Sequence, residues 1–229
     1  MKKQAFLRFL PAAVLFLLFA VYTVIVALVG VRAIGPNGSE VGLAAINGPF
    51  RDLVGVNWEL YTVTDILGLV PLALLAAFAV QGLVQLFRRR SLLRVDHDLL
   101  LLGGYYLLVL AFYLFFEVVE INARPFLIEG VLETSYPSST TMLAMATLPA
   151  VAMHLTKKLS GRTARIVLYA DAGLLTAIMV GGRILAGVHW LTDIIGGALL
   201  SLALLATYYA AQKTLAAGKR TGDRGDGIG

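Results

Sequence analysis

The sequence predicts an all-α fold, a polytopic bundle of six transmembrane helices. Of its 229 residues, 59% are hydrophobic and only 14% are charged, whereas soluble domains carry about 25% charged residues. Several apolar runs approach the roughly 20 residues that a helix needs to cross a bilayer. None alternates with the two-residue period of a membrane barrel. The six predicted helices span residues 9–31, 66–87, 99–116, 137–155, 166–186 and 190–211.

The first run follows Lys2, Lys3 and Arg8, as the apolar core of a signal peptide would. Its length of about 23 residues exceeds the 7–15 residues of such a core, and no convincing small-residue cleavage site follows it. We therefore expect a first helix that is retained in the protein.

The segment 33–65 contains Pro-Asn-Gly and Asn-Gly-Pro turn signals. It also carries Trp58 and Tyr61, which suit the headgroup level of a membrane. The segment could lie on the membrane and cover a site, or connect two helices; we favour the connector. Later in the chain, Pro149 interrupts the fourth run and Asp171 lies inside the fifth, which makes these two runs the least regular.

Basic residues cluster in segments that lie on one side of the membrane if six helices alternate. That side is the cytoplasm, because cytoplasmic loops are enriched in Lys and Arg. Both termini are then cytoplasmic, and the composition suits a bacterial plasma membrane. The distribution fits contact with the lipid bilayer and argues against a nucleic-acid partner. The clusters hold 15 of the 19 Lys and Arg: 2, 3, 8; 88, 89, 90, 94; 157, 158, 162, 165; and 213, 219, 220, 224.

The chain is expected to form one membrane domain, residues 1–212, because it contains no internal repeat and no separate soluble stretch long enough to fold alone. The tail 213–229 is rich in Gly, Lys, Arg and Asp and is predicted to be a disordered cytoplasmic extension. The chain has no cysteine, which excludes disulfides and thiolate metal sites. Its oligomeric state is left open.

The most informative motif, RILAGVHWLTD, joins the fifth run to the sixth and contains Arg183, His189 and Asp193. The i, i+4 spacing puts His189 and Asp193 on one face if these residues open a helix. The carboxylate can then accept a hydrogen bond from one imidazole nitrogen and leave the other free for chemistry. Arg183 adds a planar cation suited to a phosphate.

Two further polar pieces map to the same, outer side of the membrane. Arg124-Pro125 follows the third run, and Pro137-Ser138-Ser139-Thr140 opens the fourth. A helix start offers free N–H groups, hydroxyl donors and the positive end of the helix dipole, which together favour an anion. Each piece taken alone would suit an interfacial anchor or a helix cap. Together with His189 they predict an outward-facing phosphate site in which an imidazole acts as nucleophile or base.

These motifs resemble those of the type 2 phosphatidic acid phosphatase family over about residues 60–212. Arg183-x5-His189-x3-Asp193 is similar to its third motif, Arg124-Pro125 to the end of its first, and Pro137-Ser138 to the start of its second. The resemblance implies that His189 forms a phosphohistidine and that Asp193 orients it. It also implies that Arg124, Arg183 and the hydroxyl and backbone groups of Ser138, Ser139 and Thr140 bind phosphate, with no metal and no cofactor.

The sequence departs from the family pattern at three positions. Glu117 occupies the place of the first-motif Lys, Gly182 that of the Ser before Arg183, and Thr140 that of the second-motif His that protonates the leaving group. A hydroxyl is a poor general acid, and loss of such an acid typically costs about 10²–10⁴-fold in rate. Glu117 or Glu120 could serve instead if burial raises its pKa. Alternatively, the substrate could carry a good leaving group, or activity could be lost and phosphate binding kept.

The resulting expectation is an integral-membrane lipid phosphatase of lipid metabolism. It would hydrolyse a phosphate monoester or pyrophosphate of the polyprenyl pyrophosphate, phosphatidic acid or phosphatidylglycerol phosphate type at the outer leaflet. Two alternatives stay open: a lipid phosphotransferase on the same scaffold, and a non-catalytic phospholipid-binding or transport protein.

Overall fold

A computed structural model describes the backbone of residues 2–225 and the side chains of residues 4–218. This part of the chain folds into α-helices and one small antiparallel hairpin, which confirms the all-α prediction. The hairpin pairs β1 (Arg32–Ala33) with β2 (Glu40–Val41). The helices are α1 (Lys2–Leu28), α2 (Ala44–Val54), α3 (Trp58–Arg89), α4 (His97–Val118), α5 (Ser139–Leu155), α6 (Arg162–Ala186) and α7 (Leu191–Gly225).

Every predicted apolar run coincides with a long helix, but the count of six membrane spans is not confirmed. Within the described residues, five helices are long and apolar enough to cross a membrane: α1, α3, α4, α6 and α7. Helix α5 has only 17 residues, and most of them are buried. It is therefore the inner helix of the bundle, packed against α3, α4, α6 and α7.

Close packing of α7 against the start of α5 depends on small residues. A Cβ added at Gly197 would lie 2.8 Å from the carbonyl oxygen of Ser138, so only glycine permits this approach. One turn further on, the hydroxyl of Ser201 donates a hydrogen bond to the carbonyl oxygen of Met142 across 3.1 Å. These contacts hold the first turns of α5 and α7 side by side, which is where the predicted motifs lie.

The segment 33–65 is more than a connector. It contains the hairpin, α2 and the first turns of α3, and α2 packs against α7. The side chain of Asn47 is buried and donates to the carbonyl oxygen of Gly42 at 2.8 Å and to the hydroxyl of Thr192 at 2.9 Å. The sequence of this segment contains only turn signals, and these do not predict that the buried Asn47 side chain attaches the segment to α7.

The carboxyl-terminal boundary also differs from the prediction. Helix α7 continues to Gly225, so residues 213–225 are helical where disorder was expected. This stretch adds turns to a helix already formed in the bundle, so it needs no new nucleation. Residues 226–229, the rest of the predicted tail, lie outside the described part of the chain.

Candidate active site

The three predicted motifs meet in one cavity of about 540 Å³. It lies where α4 ends and where α5 and α7 begin, and the first turns of α3 close one side of it. Arg124, Arg183 and His189 all line this cavity. The convergence expected from the sequence is thus present in the structure.

His189 lies in the short turn between α6 and α7. Helix α6 ends at Ala186, and Gly187 follows it as the C-cap, with a φ of +68° that turns the chain toward α7 and suits glycine. The His189 side chain is 1% exposed. Its Nε2 lies 3.3 Å from Nη1 of Arg124, and its Nδ1 lies 3.0 Å from the hydroxyl of Ser135. The imidazole is therefore held on both edges by polar groups.

Asp193 does not bond directly to the imidazole as the i, i+4 spacing predicts. Its Oδ2 lies 3.8 Å from Nδ1 of His189, which is beyond hydrogen-bond distance. The same oxygen accepts hydrogen bonds from the hydroxyl of Ser135 at 2.5 Å and from the backbone N–H of Trp190 at 2.9 Å. Because the carboxylate caps the first turn of α7, it lies too far back to reach the ring, and Ser135 lies between the two.

Arg124 is held by the loop between α4 and α5. Its backbone N–H donates to the carbonyl oxygen of Glu133 at 2.9 Å, and its Nη1 donates to the carbonyl oxygen of Val188 at 3.4 Å. Its Nε also lies 2.9 Å from Oε2 of Glu133, an ion pair that lacks the alignment of a hydrogen bond. These contacts place the guanidinium beside Nε2 of His189.

Arg183 extends from the last turn of α6 toward α3 and α5. Its Nη1 donates to the hydroxyl of Thr64 at 3.2 Å, and its Nη2 donates to the hydroxyl of Thr140 at 2.8 Å and to Oδ1 of Asp65 at 3.2 Å. The ring of Tyr61 lies 5.0 Å from the guanidinium carbon, within range of a cation–π contact. Among the described residues, Nε of Arg183 has no hydrogen-bond partner.

The predicted phosphate ligands at the start of α5 separate into two roles. Ser139 and Thr140 line the cavity. Ser138 does not, because its side chain is fully buried and its oxygen accepts a hydrogen bond from the backbone N–H of Thr141 at 3.5 Å, as a helix cap. The backbone N–H of Ser138 donates to the carbonyl oxygen of Asp193 at 2.9 Å. Ser138 therefore ties α5 to α7 and does not line the cavity.

Glu117 and Glu120, the candidate acids, also line the cavity, together with Asp65 and Glu133. Glu117 and Glu120 are exposed, and the side chains of Asp65 and Glu133 are 59% and 43% exposed. The side chains of Arg124 and Arg183 are only 10% and 2% exposed. Charge is thus sorted by depth, with cations at the inner wall and carboxylates at the solvent-facing rim.

Burial and the two guanidinium groups hold the pKa of His189 well below its ordinary value. Burial is the largest cause, followed by the positive charges of Arg124 and then Arg183. Each disfavours a proton on the ring. The imidazole is consequently neutral at pH 7, and one of its nitrogens carries a lone pair in place of a proton.

Several residues of the site were not identified from the sequence. Asp65 could have been found, since an acid at the edge of an apolar run is a functional signal. Ser135 and Asn122 carry no such signal, because single polar residues in an outer loop are ordinary. Asn122 belongs to the site because its Nδ2 donates to Oδ1 of Asp193 across 3.3 Å. Within the described part of the chain, no group of three or more His, Asp or Glu side chains is arranged to hold a metal ion.

Comparison with known proteins identifies the family and the fold. The PAP2 superfamily model matches residues 98–216, more than half of the 229-residue chain. The fold is similar to that in a crystal structure described as the first transmembrane PAP2 type phosphatidylglycerolphosphate phosphatase from Bacillus subtilis. The TM-score is 0.57 with 23% sequence identity, over 89% of this chain and 96% of that chain. No curated protein sequence matches this chain. The chain, with its Arg, His and Asp motif placed at the cavity, belongs to the PAP2 superfamily.

Proposed function

We propose that this protein is an integral-membrane lipid phosphatase that forms a phosphohistidine on His189. One observation carries the proposal: a neutral imidazole and two buried guanidinium groups line one cavity. Nε2 of His189 lies on the side of Arg124, where a bound phosphate would present its phosphorus to the lone pair. Simple phosphate binding does not require an imidazole in this position.

The chemistry follows from the groups at the inner wall. The lone pair of Nε2 forms a bond to phosphorus while the bond from phosphorus to the leaving oxygen breaks. Arg124, Arg183, Ser139 and Thr140 would stabilise the charge on the remaining phosphoryl oxygens. The leaving oxygen takes a proton from water or from a carboxyl group at the rim, with Glu117 and Glu120 as candidates. Water then attacks the phosphoryl group, the nitrogen–phosphorus bond breaks, and inorganic phosphate leaves.

Sorting of charge by depth makes the cavity suitable for a phosphate despite its four carboxylates. A dianion that reaches the inner wall meets Arg124 and Arg183 where solvent screening is weak, whereas the rim carboxylates are screened by water. The Nε of Arg183 adds a buried donor that has no hydrogen-bond partner among the described residues. A buried donor left without a partner costs about 1–3 kcal/mol, and a phosphate oxygen would satisfy it.

The walls of the cavity suit an amphiphilic substrate. Phe112, Phe116 and Met142 also line it, and they would contact the apolar part of a lipid. Phosphatidic acid, phosphatidylglycerol phosphate and polyprenyl pyrophosphate all fit this description. We favour the pyrophosphate, because its leaving phosphate needs little protonation and Thr140 supplies no acid. In the proposed topology α5 is a sixth span, both termini are cytoplasmic and the site faces outward.

The test is phosphate release by detergent-solubilised protein from these three lipids, with and without chelator. We expect release by the wild type, insensitivity to chelator and no release by His189→Ala. Brief incubation with ³²P-labelled substrate should label the protein through an acid-labile, base-stable bond. His97→Ala is the matched control, because His97 is exposed at the start of α4. This variant should keep both phosphate release and labelling.

Product analysis separates hydrolysis from transfer. If phosphate appears on an added lipid or sugar alcohol and free phosphate is absent, the protein is a phosphotransferase with the same intermediate. If wild type and His189→Ala bind all three lipids equally and neither releases phosphate or becomes labelled, the enzyme proposal is wrong. The protein would then be a phospholipid-binding protein.

A further inference from the structure

Ser135 is the one residue that contacts both the imidazole of His189 and the carboxylate of Asp193 among the hydrogen bonds of the described residues. Its hydroxyl oxygen lies 3.0 Å from Nδ1 of His189 and 2.5 Å from Oδ2 of Asp193. The direct distance between these two groups is 3.8 Å. The three side chains therefore form a chain of hydrogen bonds with Ser135 in the middle.

With Asp193 ionised, the number of available protons fixes the direction of this chain. A serine hydroxyl has one proton, and here it is donated to Oδ2 of Asp193. The Ser135 oxygen must then accept from Nδ1 of His189, which places the imidazole proton on Nδ1. The opposite nitrogen faces the donor Nη1 of Arg124, and since a guanidinium only donates, Nε2 must carry the lone pair. Both ends of the ring thus require the same tautomer.

We propose that Ser135 is a positioning residue that sets the tautomer of His189 and connects it to the charge of Asp193. This inference rests on the proposed function of His189 as nucleophile. When Nε2 bonds to phosphorus, the ring gains a positive charge while Nδ1 keeps its proton. The hydroxyl of Ser135 then accepts a stronger hydrogen bond from Nδ1 and donates a stronger one to the carboxylate. Asp193 stabilises the imidazolium through this hydroxyl and not by direct contact.

The surroundings allow Ser135 to be changed without dismantling the site. Its backbone N–H donates to the carbonyl oxygen of Asn122 at 2.9 Å, a contact that does not use its side chain. Asp193 also keeps its bonds from the backbone of Trp190 and the side chain of Asn122. Ser135→Ala therefore removes the bridge and leaves the rest of the support in place. Ser135→Thr keeps a hydroxyl and is the conservative variant.

The test combines kinetics with the ¹⁵N NMR spectrum of histidine-labelled protein in detergent micelles. The chain has three histidines, and His189→Gln identifies the signal of interest. In the wild type we expect the tautomer protonated on Nδ1, and in Ser135→Ala a mixture of both tautomers. On the best lipid phosphate of the panel, kcat should fall about 10- to 100-fold, by analogy with loss of the group that orients a metal-ligating histidine. KM should stay nearly unchanged, and Ser135→Thr should restore kcat and the single tautomer.

The spectrum is independent of activity, so it separates this inference from the proposed function. A wild type protonated on Nε2 overturns the role of Ser135, and so does a Ser135→Ala protein that keeps one tautomer and wild-type kcat. If the tautomer depends on Ser135 but no lipid phosphate is hydrolysed, Ser135 positions the ring and the phosphatase proposal alone fails.

Discussion

The hydroxyl of Thr140 accepts a hydrogen bond from Nη2 of Arg183 across 2.8 Å. In the family that this chain resembles, a histidine occupies this position and protonates the leaving group. Here the side chain is a short hydroxyl that accepts from Arg183, a proposed phosphate ligand, and it supplies no proton with a pKa near neutrality. Among the described residues, the inner wall of the cavity thus carries the proposed nucleophile and two cations but no dedicated acid.

We therefore predict that the rate depends steeply on the leaving group. Along a series from aryl to alkyl phosphates, kcat/KM should fall strongly as the pKa of the leaving alcohol rises. The measurement is phosphate release across the series at fixed pH. Glu117→Gln and Glu120→Gln should be assayed in parallel, because the variant that lowers only the alkyl phosphate rates identifies a rim acid. A rate independent of the leaving group would show that protonation is efficient or that chemistry is not rate-limiting.

A second prediction concerns pH. Because the pKa of His189 is held well below its ordinary value, kcat/KM should persist below pH 6 before protonation of Nε2 abolishes attack. Arg124→Gln removes the second-largest cause of this lowered pKa. In this variant the fall of kcat/KM at acidic pH should therefore occur at a higher pH than in the wild type. Because both proteins are assayed on one substrate, the ionisation of its phosphate affects both pH profiles equally. If this fall occurs at the same pH in both proteins, Arg124 does not act on the imidazole.

The same shift predicts the pH dependence of stability. The unfolded chain binds a proton at His189 below pH of about 6.5, whereas the folded chain does so only at lower pH. Above about pH 6.5, His189 therefore makes its full contribution to the free energy of unfolding. This contribution is lost as the pH falls toward the pKa of His189 in the folded state. Unfolding temperatures in detergent should decline less in His189→Ala than in wild type over this window. An equal decline would contradict a buried neutral imidazole.

The sequence predicted the elements of this site better than their contacts. Long apolar runs predict helices because a segment buried in lipid must be helical. In the structure Arg183, His189 and Asp193 lie at one site, as their spacing predicts. The position of Ser135 between two of these residues follows from the path of the loop 119–138, which no periodicity encodes. The capping role of Ser138 likewise depends on how α5 meets α7. Short-range patterns therefore locate the site, and tertiary packing decides which atoms touch.

A fourth prediction concerns the ion pair between Arg124 and Glu133. Because the carboxylate lies 2.9 Å from Nε of Arg124, it competes with a phosphate for that guanidinium. Glu133→Gln should lower KM about 2- to 5-fold, as expected for a partly exposed pair worth up to about 1 kcal/mol, and leave kcat almost unchanged. Glu129→Gln is the matched control, because Glu129 lies in the same loop but does not line the cavity. A higher KM in Glu133→Gln would instead mean that Glu133 positions Arg124 for binding.

The last prediction concerns Gly182, which replaces the serine that usually precedes the arginine of the third motif. A Cβ added at Gly182 would lie 2.4 Å from Cγ2 of Thr64, and the hydroxyl of Thr64 accepts from Arg183. Gly182→Ala should therefore displace Thr64 or the guanidinium. We expect a loss of about 1–3 kcal/mol in stability, as for other overpacked sites, together with a raised KM for lipid phosphate.

Thr64→Ser should rescue this variant, because it deletes Cγ2 and keeps the hydroxyl. The remaining contact from the added Cβ would be to Cβ of residue 64 at 3.8 Å, an ordinary van der Waals distance. Gly181→Ala is the control: nothing lies within 4 Å of a Cβ there, so stability should stay the same or rise slightly, since alanine favours a helix. The measurements are thermal unfolding and KM for the wild type, Gly182→Ala, Gly182→Ala combined with Thr64→Ser, and Gly181→Ala. If Gly182→Ala behaves like Gly181→Ala, Thr64 does not constrain Arg183, and the glycine has another cause.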